Sequence, residues 1–209
     1  MRQVSNIVVA TAIAAGSLSS VALAGIVAPT PIGGGWGVIV PNIDGMDVIR
    51  DSISIQGDAI VIETQANHPG FGAECIQLVQ LAPDSATLAR IIITDSVVVN
   101  SSGQAWNGYS YFVGANDPAT FNQSLSAGFS ISPFTTRTYG AGSRSVAFGG
   151  GSLPSGAVWF PGLTNGELVI DVDLSGGPAF ITLCQQALPT PGAAALLGIG
   201  GLVATRRRR

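Results

Sequence analysis

The chain has 209 residues, of which 46% are hydrophobic and only 10% are charged, and all nine of its basic residues are arginines. Without the two terminal segments identified below, residues 25–188 carry four arginines against twelve carboxylates, a net charge of −8. Such a surface repels phosphate backbones, so we expect no binding to nucleic acid. The remaining length suits one domain with a sizeable core.

The N-terminus has the features of a secretory signal peptide. Arg2 supplies a positive charge, residues 7–15 are apolar, and small residues lead up to Ala24. This order predicts a signal peptide over residues 1–24, export through the Sec translocon and cleavage between Ala24 and Gly25. A permanent N-terminal anchor is the alternative, but the apolar run is too short for an ordinary membrane span.

A glycine-rich segment, Gly33-Gly34-Gly35-Trp36-Gly37, follows soon after the predicted cleavage position. We interpret residues 25–36 as a flexible N-terminal segment rather than as a phosphate-binding loop. The ectodomain is then predicted to extend over residues 37–188.

A short acidic stretch near the start of the ectodomain is a candidate calcium site. Asn42, Asp44 and Asp47 provide oxygen ligands at close spacing, and Gly45 allows a sharp bend. This arrangement resembles the start of a calcium loop, although the distal bidentate Glu of an EF-hand is missing. A plain turn that leads into the first hairpin is the alternative, and we expect no other cofactor.

The ectodomain has the sequence pattern of β-structure throughout. Residues 53–62 form two short apolar runs around Gly57, which predicts a hairpin, and Glu167–Leu174 alternates with the period of a strand. Turn-forming residues separate further predicted strands at 37–40, 75–81, 89–100, 109–113, 128–132, 145–148, 157–160 and 179–184. About ten short strands in one domain predict an all-β fold, a single two-sheet β-sandwich of jelly-roll or immunoglobulin-like kind.

One of these runs, residues 89–100, cannot continue as a single regular strand. Its alternation would place Asp95 on the same face as Ile93 and Val97. A buried carboxylate without a partner costs several kcal/mol. We therefore predict a break or bulge at residues 94–96.

Few residues in the chain suggest catalysis. His68 is the only histidine and lies in a turn-like composition, Asn67-His68-Pro69-Gly70. Asp171 and Asp173 could in principle form the carboxylate pair of a glycosidase, but two outward charges on a strand are the simpler interpretation. We predict no catalytic residues and no enzymatic activity. A hydrolase would need His68 within hydrogen-bonding distance of a serine or a carboxylate.

Three aromatic residues form a candidate ligand-stacking patch. Tyr109 and Tyr111 point the same way on a predicted strand, and Trp106 lies beyond a turn predicted at Asn107-Gly108. Exposed aromatic rings of this kind can stack on sugars. Core packing or cross-strand pairing is the alternative, and exposure to solvent distinguishes the two.

Cys75 and Cys184 are the only cysteines. Both lie in predicted strands of a chain that we expect to be exported, and an even number of cysteines in an oxidising compartment favours a disulfide. We therefore predict a Cys75–Cys184 bond and no cysteine metal site.

The C-terminus ends in a tripartite segment. Pro189, Thr190 and Pro191 precede a short apolar run at residues 193–204, and the chain closes with Arg206, Arg207, Arg208 and Arg209. Twelve helical residues span about 18 Å, which is short for a hydrocarbon core of about 30 Å. The basic cluster suits the cytoplasmic side of a membrane.

This segment, residues 189–209, resembles the PEP-CTERM sorting signal in the order of its turn motif, short transmembrane helix and terminal arginines. Thr190 stands where that family usually has Glu. The resemblance covers only the last twenty or so residues. It implies recognition by an exosortase in a Gram-negative-type bacterium, removal of the tail after a transient stay in the inner membrane, and delivery to the cell surface or the extracellular matrix. A plain tail anchor is the alternative.

The resemblance also implies an association with exopolysaccharide or biofilm material. The sequence thus predicts an exported, non-enzymatic surface or matrix protein. A carbohydrate-binding or adhesive module is the main alternative, and a secreted hydrolase is a third.

Overall fold

The computed structural model describes residues 28–39, 46–49 and 52–189 of the chain. The predicted signal cleavage site at Ala24 and Gly25 lies outside these residues, as do two candidate calcium ligands, Asn42 and Asp44. The sorting segment from Thr190 onward is also outside them, including Pro191, Arg206, Arg207, Arg208 and Arg209.

The described residues form sixteen strands and two short 3-10 turns, at Asp84–Ala86 and Ala141–Ser143. The all-β prediction is confirmed. The strands are β1 (Thr30–Gly33), β2 (Trp36–Ile39), β3 (Met46–Val48), β4 (Ser54–Gln56), β5 (Ala59–Ile62), β6 (Thr64–His68), β7 (Ala73–Gln80), β8 (Arg90–Ile93), β9 (Val97–Asn100), β10 (Trp106–Val113), β11 (Ala119–Phe121), β12 (Thr136–Tyr139), β13 (Ser145–Gly149), β14 (Val158–Trp159), β15 (Leu168–Val172) and β16 (Phe180–Pro189).

The strands form three sheets. The largest has seven strands in the order β1-β2-β7-β16-β10-β13-β12, and the other two have the orders β11-β15-β8-β5-β4 and β14-β9-β6-β3. All three sheets contribute side chains to one cluster of buried apolar residues, which includes Leu183, Ile170 and Val98. Burial of this shared cluster is the main stabilising contribution to the fold.

The two clearest predicted elements are present. β4 and β5 form the hairpin at residues 53–62, and Gly57 occupies the positive-φ position of its turn with φ 58°. β15 lies within the predicted run 167–174, and its alternate residues Leu168 and Ile170 are fully buried. The alternation of apolar residues was the correct signal for β15, and the turn residue Gly57 was the correct signal for the hairpin.

The predicted break at residues 94–96 is confirmed. β8 ends at Ile93, β9 begins at Val97, and Asp95 between them is half-buried with φ 40°. β8 pairs in parallel with β5, and β9 pairs in parallel with β6. The break therefore lies where the chain passes from the five-stranded sheet to the four-stranded one, and it keeps Asp95 out of the core.

The glycine-rich segment is not a linker, contrary to the prediction for residues 25–36. β1 and β2 form an antiparallel hairpin, and Gly34 and Gly35 turn the chain with φ 57° and 83°. Trp36 is only 1% exposed, and its Nε1–H donates to the carbonyl oxygen of Leu88 at 2.9 Å. Burial of this indole fixes a segment whose composition suggested flexibility.

The strand predicted at residues 128–132 is also wrong. This stretch is an irregular connection in which Phe129 is buried and Ser130 makes two isolated backbone bonds, to Asn165 at 2.8 Å and to Gly162 at 3.0 Å. The apolar residue that suggested a strand here is Phe129, whose side chain is buried although its backbone is not in a strand.

Within the described part of the chain, no helix has the length and hydropathy needed to cross a membrane.

Candidate functional site

The aromatic residues proposed for ligand stacking lie in the core. Trp106, Tyr109 and Tyr111 are all 0% exposed, and the rings of Trp106 and Tyr109 stack at 5.8 Å. Side chains buried in this way offer no surface to a sugar, so the burial favours the core interpretation.

The turn predicted at Asn107-Gly108 is wrong, because β10 continues through it. Gly108 is needed for close approach, since a Cβ there would lie 2.6 Å from the Phe148 carbonyl oxygen.

His68 also lies in the core, at the end of β6, and is 1% exposed. Its Nε2 lies 2.7 Å from the Tyr109 hydroxyl, which in turn donates to Oε1 of Gln185 at 2.6 Å. Because the tyrosine hydroxyl has a single proton, this direction of donation assigns the other proton to Nε2 of a neutral His68. The ring also packs edge-on against Trp106 at 5.4 Å.

The hydrogen-bonded chain continues beyond Gln185. The Gln185 amide nitrogen donates to the Thr64 hydroxyl at 2.9 Å, and Thr64 donates to the Ser96 hydroxyl at 2.8 Å. Ser96 reaches the carbonyl oxygen of Thr94 at 3.5 Å, within the break between β8 and β9. We call these five side chains, His68, Tyr109, Gln185, Thr64 and Ser96, the buried relay. The relay links strands of the seven-stranded and four-stranded sheets through the core.

The buried relay is electrically neutral at physiological pH. Burial lowers the pKa of His68 to about 4. The backbone of Gly72 favours the protonated ring and raises this pKa, but its effect is smaller than that of burial. Burial likewise raises the pKa of Tyr109. Within the described residues, His68 bonds to a tyrosine and makes no hydrogen bond to a serine or a carboxylate, which is the contact that the hydrolase hypothesis required. The arrangement supports rigid positioning of the sheets.

The two core tyrosines provide a matched pair of tests. The Tyr109→Phe variant should lose about 2 kcal/mol of unfolding free energy, because His68 and Gln185 would each lose a buried partner. The Tyr111→Phe variant should lose less than about 1 kcal/mol, because that hydroxyl has no hydrogen bond of regular geometry in the described part of the chain and only a weaker interaction with the Ser96 side chain. Urea unfolding of both variants measures the difference, and equal losses would mean that the relay contributes nothing specific.

The disulfide prediction is confirmed. Cys75 in β7 and Cys184 in β16 lie directly opposite each other across antiparallel strands, with a Cα–Cα distance of 4.1 Å. Their neighbours Ile76 and Leu183 point into the core, so the disulfide lies on the outer face of the seven-stranded sheet. The bond joins residues 109 positions apart in the sequence.

The carboxylates considered for a glycosidase are held by neighbouring side chains. Asp171 accepts a hydrogen bond from Arg90 at 2.9 Å on one oxygen and from Asn122 at 2.7 Å on the other. The hydroxyl and N–H of Ser175 lower the pKa of Asp173. A glycosidase needs one carboxyl with a raised pKa, so these contacts favour the interpretation as outward, solvated charges.

Of the three candidate calcium ligands, the structure describes only Asp47. It lies in β3 and accepts a hydrogen bond from the Val48 N–H at 2.7 Å. Over residues 28–39, 46–49 and 52–189, no three histidine, cysteine or acidic side chains come together in a potential metal site.

No sequence motif identifies Gln185, Thr64 or Ser96 as members of the buried relay. One signal was available: Gln185 occupies a core-facing position of β16 between Leu183 and Ala187, which are both buried. A polar side chain at a core-facing position requires a buried partner. The identity of that partner depends on the pairing of distant strands.

No family model, curated protein or solved structure matches the chain.

Proposed function

We propose that this chain is an exported, non-enzymatic protein that an exosortase sorts to the cell surface or the extracellular matrix, where it associates with exopolysaccharide. The observation that carries the proposal is the Cys75–Cys184 disulfide. A disulfide in a small domain is characteristic of oxidising compartments outside the cytoplasm. It therefore agrees with the signal peptide and the sorting segment that the sequence predicts.

The position of β16 is compatible with removal of the tail. β16 ends at Pro189, where it pairs with Trp106, and its main neighbours are β7 and β10. The predicted processing motif begins at this same residue. Cleavage after Pro189 would leave every described strand in place, so we expect the ectodomain to remain folded after processing.

We also propose that the three sheets form the two layers of a β-sandwich of jelly-roll or immunoglobulin-like kind. The five-stranded and four-stranded sheets are joined through two chain continuations, β5 to β6 and β8 to β9. The Thr94 N–H donates to the Ile62 carbonyl oxygen at 3.2 Å and so extends the parallel pairing into the break. These two sheets together would form one layer opposite the seven-stranded sheet.

Carbohydrate binding and hydrolysis, the two alternative functions, lack support in the described residues. The aromatic residues named for the first are buried, and His68, which the second required, bonds to a tyrosine in the core. Neither alternative has a supporting contact among the described residues.

The test is the intact mass and the cellular fraction of the protein in its native cells, with and without the exosortase. We expect a mass that corresponds to loss of residues 1–24 and of the C-terminal segment, together with recovery at the surface or in the matrix, only when the enzyme is present. Retention of Arg206–Arg209 in the membrane fraction of both strains would overturn the sorting proposal and identify the segment as a tail anchor.

A further inference from the structure

The strand β12 forms one edge of the seven-stranded sheet. Among the described residues it pairs with β13 on one side only. The Gly140 N–H donates to the Ser145 carbonyl oxygen at 2.9 Å, and hydrogen-bonded residues alternate along an antiparallel pair. Thr136 and Thr138 therefore bond to β13, and the backbone N–H and C=O groups of Arg137 and Tyr139 point away from the sheet.

The other described edges are shorter or irregular. β1, the opposite edge of the same sheet, contains Pro31 and a register shift before Gly33, and proline lacks the N–H that an added strand would need. The edge strands β3, β4 and β11 have three residues each, and β14 has two. β12 is thus a four-residue edge with a regular register and with neither proline nor glycine.

The side chains of β12 do not block the approach of another strand. Thr136 and Thr138 are exposed and uncharged. The one charge of the strand, Arg137, is turned back against the domain, where its guanidinium donates to the carbonyl oxygens of Ser126 and Phe129 and lies 5.8 Å from the centre of the Phe148 ring. Proteins often protect an edge with an outward charge, and β12 has none.

The surface next to β12 is also free of charge. Alternation places only uncharged residues on the outer face of β12 and of the next three strands of this sheet. These residues are Thr136 and Thr138 of β12, Ser145, Ala147 and Gly149 of β13, Gly108, Ser110 and Phe112 of β10, and Phe180, Thr182, Cys184, Gln186 and Leu188 of β16. In the described residues as a whole, ten carboxylates stand against three arginines. The outer face that flanks β12 therefore adds no like-charge repulsion between two copies that meet there.

We propose that β12 is a self-association edge, which pairs antiparallel with β12 of a second copy about a two-fold axis through Thr138. In this register Arg137 faces the partner's Tyr139, and the outward backbone groups of these two residues in both copies form four hydrogen bonds. Thr138 faces the partner's Thr138, a favourable cross-strand pair. A register shifted by two residues would place Arg137 opposite the partner's Arg137, which like-charge repulsion disfavours.

The resulting dimer is a continuous sheet of fourteen strands. Its interface is narrow, because it consists of one edge and the side chains that flank it. We therefore expect weak association, with a dissociation constant of roughly 10 µM. This inference does not rest on the proposed sorting function.

Cysteine cross-linking of the full chain tests the register. In the Thr138→Cys variant the two introduced thiols lie on the two-fold axis, at a non-hydrogen-bonded pair with a Cα–Cα distance of about 4.5 Å, which suits a disulfide. Thr136→Cys is the matched control, because Thr136 has the same residue type, strand and exposure. Its two copies would lie four residues apart along the strand direction, about 13 Å. We expect at least tenfold more covalent dimer from Thr138→Cys than from Thr136→Cys under mild oxidation.

Sedimentation equilibrium of the full chain tests the association itself. We expect a monomer–dimer equilibrium for the wild type, and at least a tenfold larger dissociation constant for Thr138→Lys, which places like charges opposite each other at the axis. Circular dichroism and melting temperature establish that each variant is folded. The proposal is overturned by a monomeric wild type at 200 µM, by equal cross-linking of the two cysteine variants, or by association that Thr138→Lys leaves unchanged.

Discussion

Replacement of both Cys75 and Cys184 by alanine should lower the free energy of unfolding by about 4–5 kcal/mol. The disulfide closes a loop with a sequence separation of 109 residues, and the chain-entropy model assigns the largest stabilisation to long loops. The same bond joins β7 to β16, two neighbouring strands of the seven-stranded sheet, so its loss leaves only non-covalent contacts to hold β16 in place.

Urea unfolding of the double variant and of the wild type, both under oxidising conditions, measures this effect. The wild type in the presence of a strong reductant is the control, and its unfolding midpoint should approach that of the double variant. A difference below about 1 kcal/mol between the oxidised wild type and the variant would contradict the prediction, and would mean that the strand pairing alone fixes β16.

The stability of the protein should fall by roughly 3 kcal/mol between pH 6.5 and pH 4 because of His68 alone. Burial depresses the pKa of this histidine from 6.5 in the unfolded chain to about 4 in the folded protein. In this interval the unfolded state binds a proton that the folded state does not bind, so unfolding becomes more favourable as the pH falls. The contribution of His68 is fully present above pH 6.5 and is lost as the pH approaches 4.

A His68→Gln variant separates this contribution from that of the carboxylates. The glutamine amide has an N–H for the Tyr109 hydroxyl but does not titrate. We expect the wild type to be the more stable protein at pH 7, and the difference between the two proteins to shrink progressively down to pH 4. Parallel stability curves for the two proteins over this range would rule out a depressed histidine pKa.

The sequence predicted the class of fold because alternation is a local signal. Leu168, Ile170 and Val172 identify β15 without knowledge of its neighbours, and Gly57 marks the turn of the β4–β5 hairpin. The break at Asp95 was also predictable, since a carboxylate at a core-facing position is costly wherever the strand pairs. Failures arose where tertiary burial overrides composition. Burial of Trp36 holds a glycine-rich segment in a hairpin. Close packing of Gly108 against Phe148 of β13 keeps residues 107 and 108, which were predicted to form a turn, within a strand.

The buried relay was not predictable for a different reason. Its members come from four separate parts of the chain, and the bond between Gln185 and Thr64 spans 121 residues. Local patterns place each of these residues on a face of its own strand, but they do not specify which strands become neighbours. The disulfide also joins distant parts of the chain, but it was predictable because two cysteines have only one way to pair.

The place of β16 in the sheet sets the order in which the protein can fold. It comes last in sequence among the described strands, yet it lies between β7 and β10 and pairs with both along most of its ten residues. Until residue 189 has left the ribosome, β7 and β10 have no strand between them. The domain therefore cannot assemble progressively from its N-terminus. A chain that terminates early would leave two long strand edges exposed, which makes incomplete copies prone to aggregation and proteolysis.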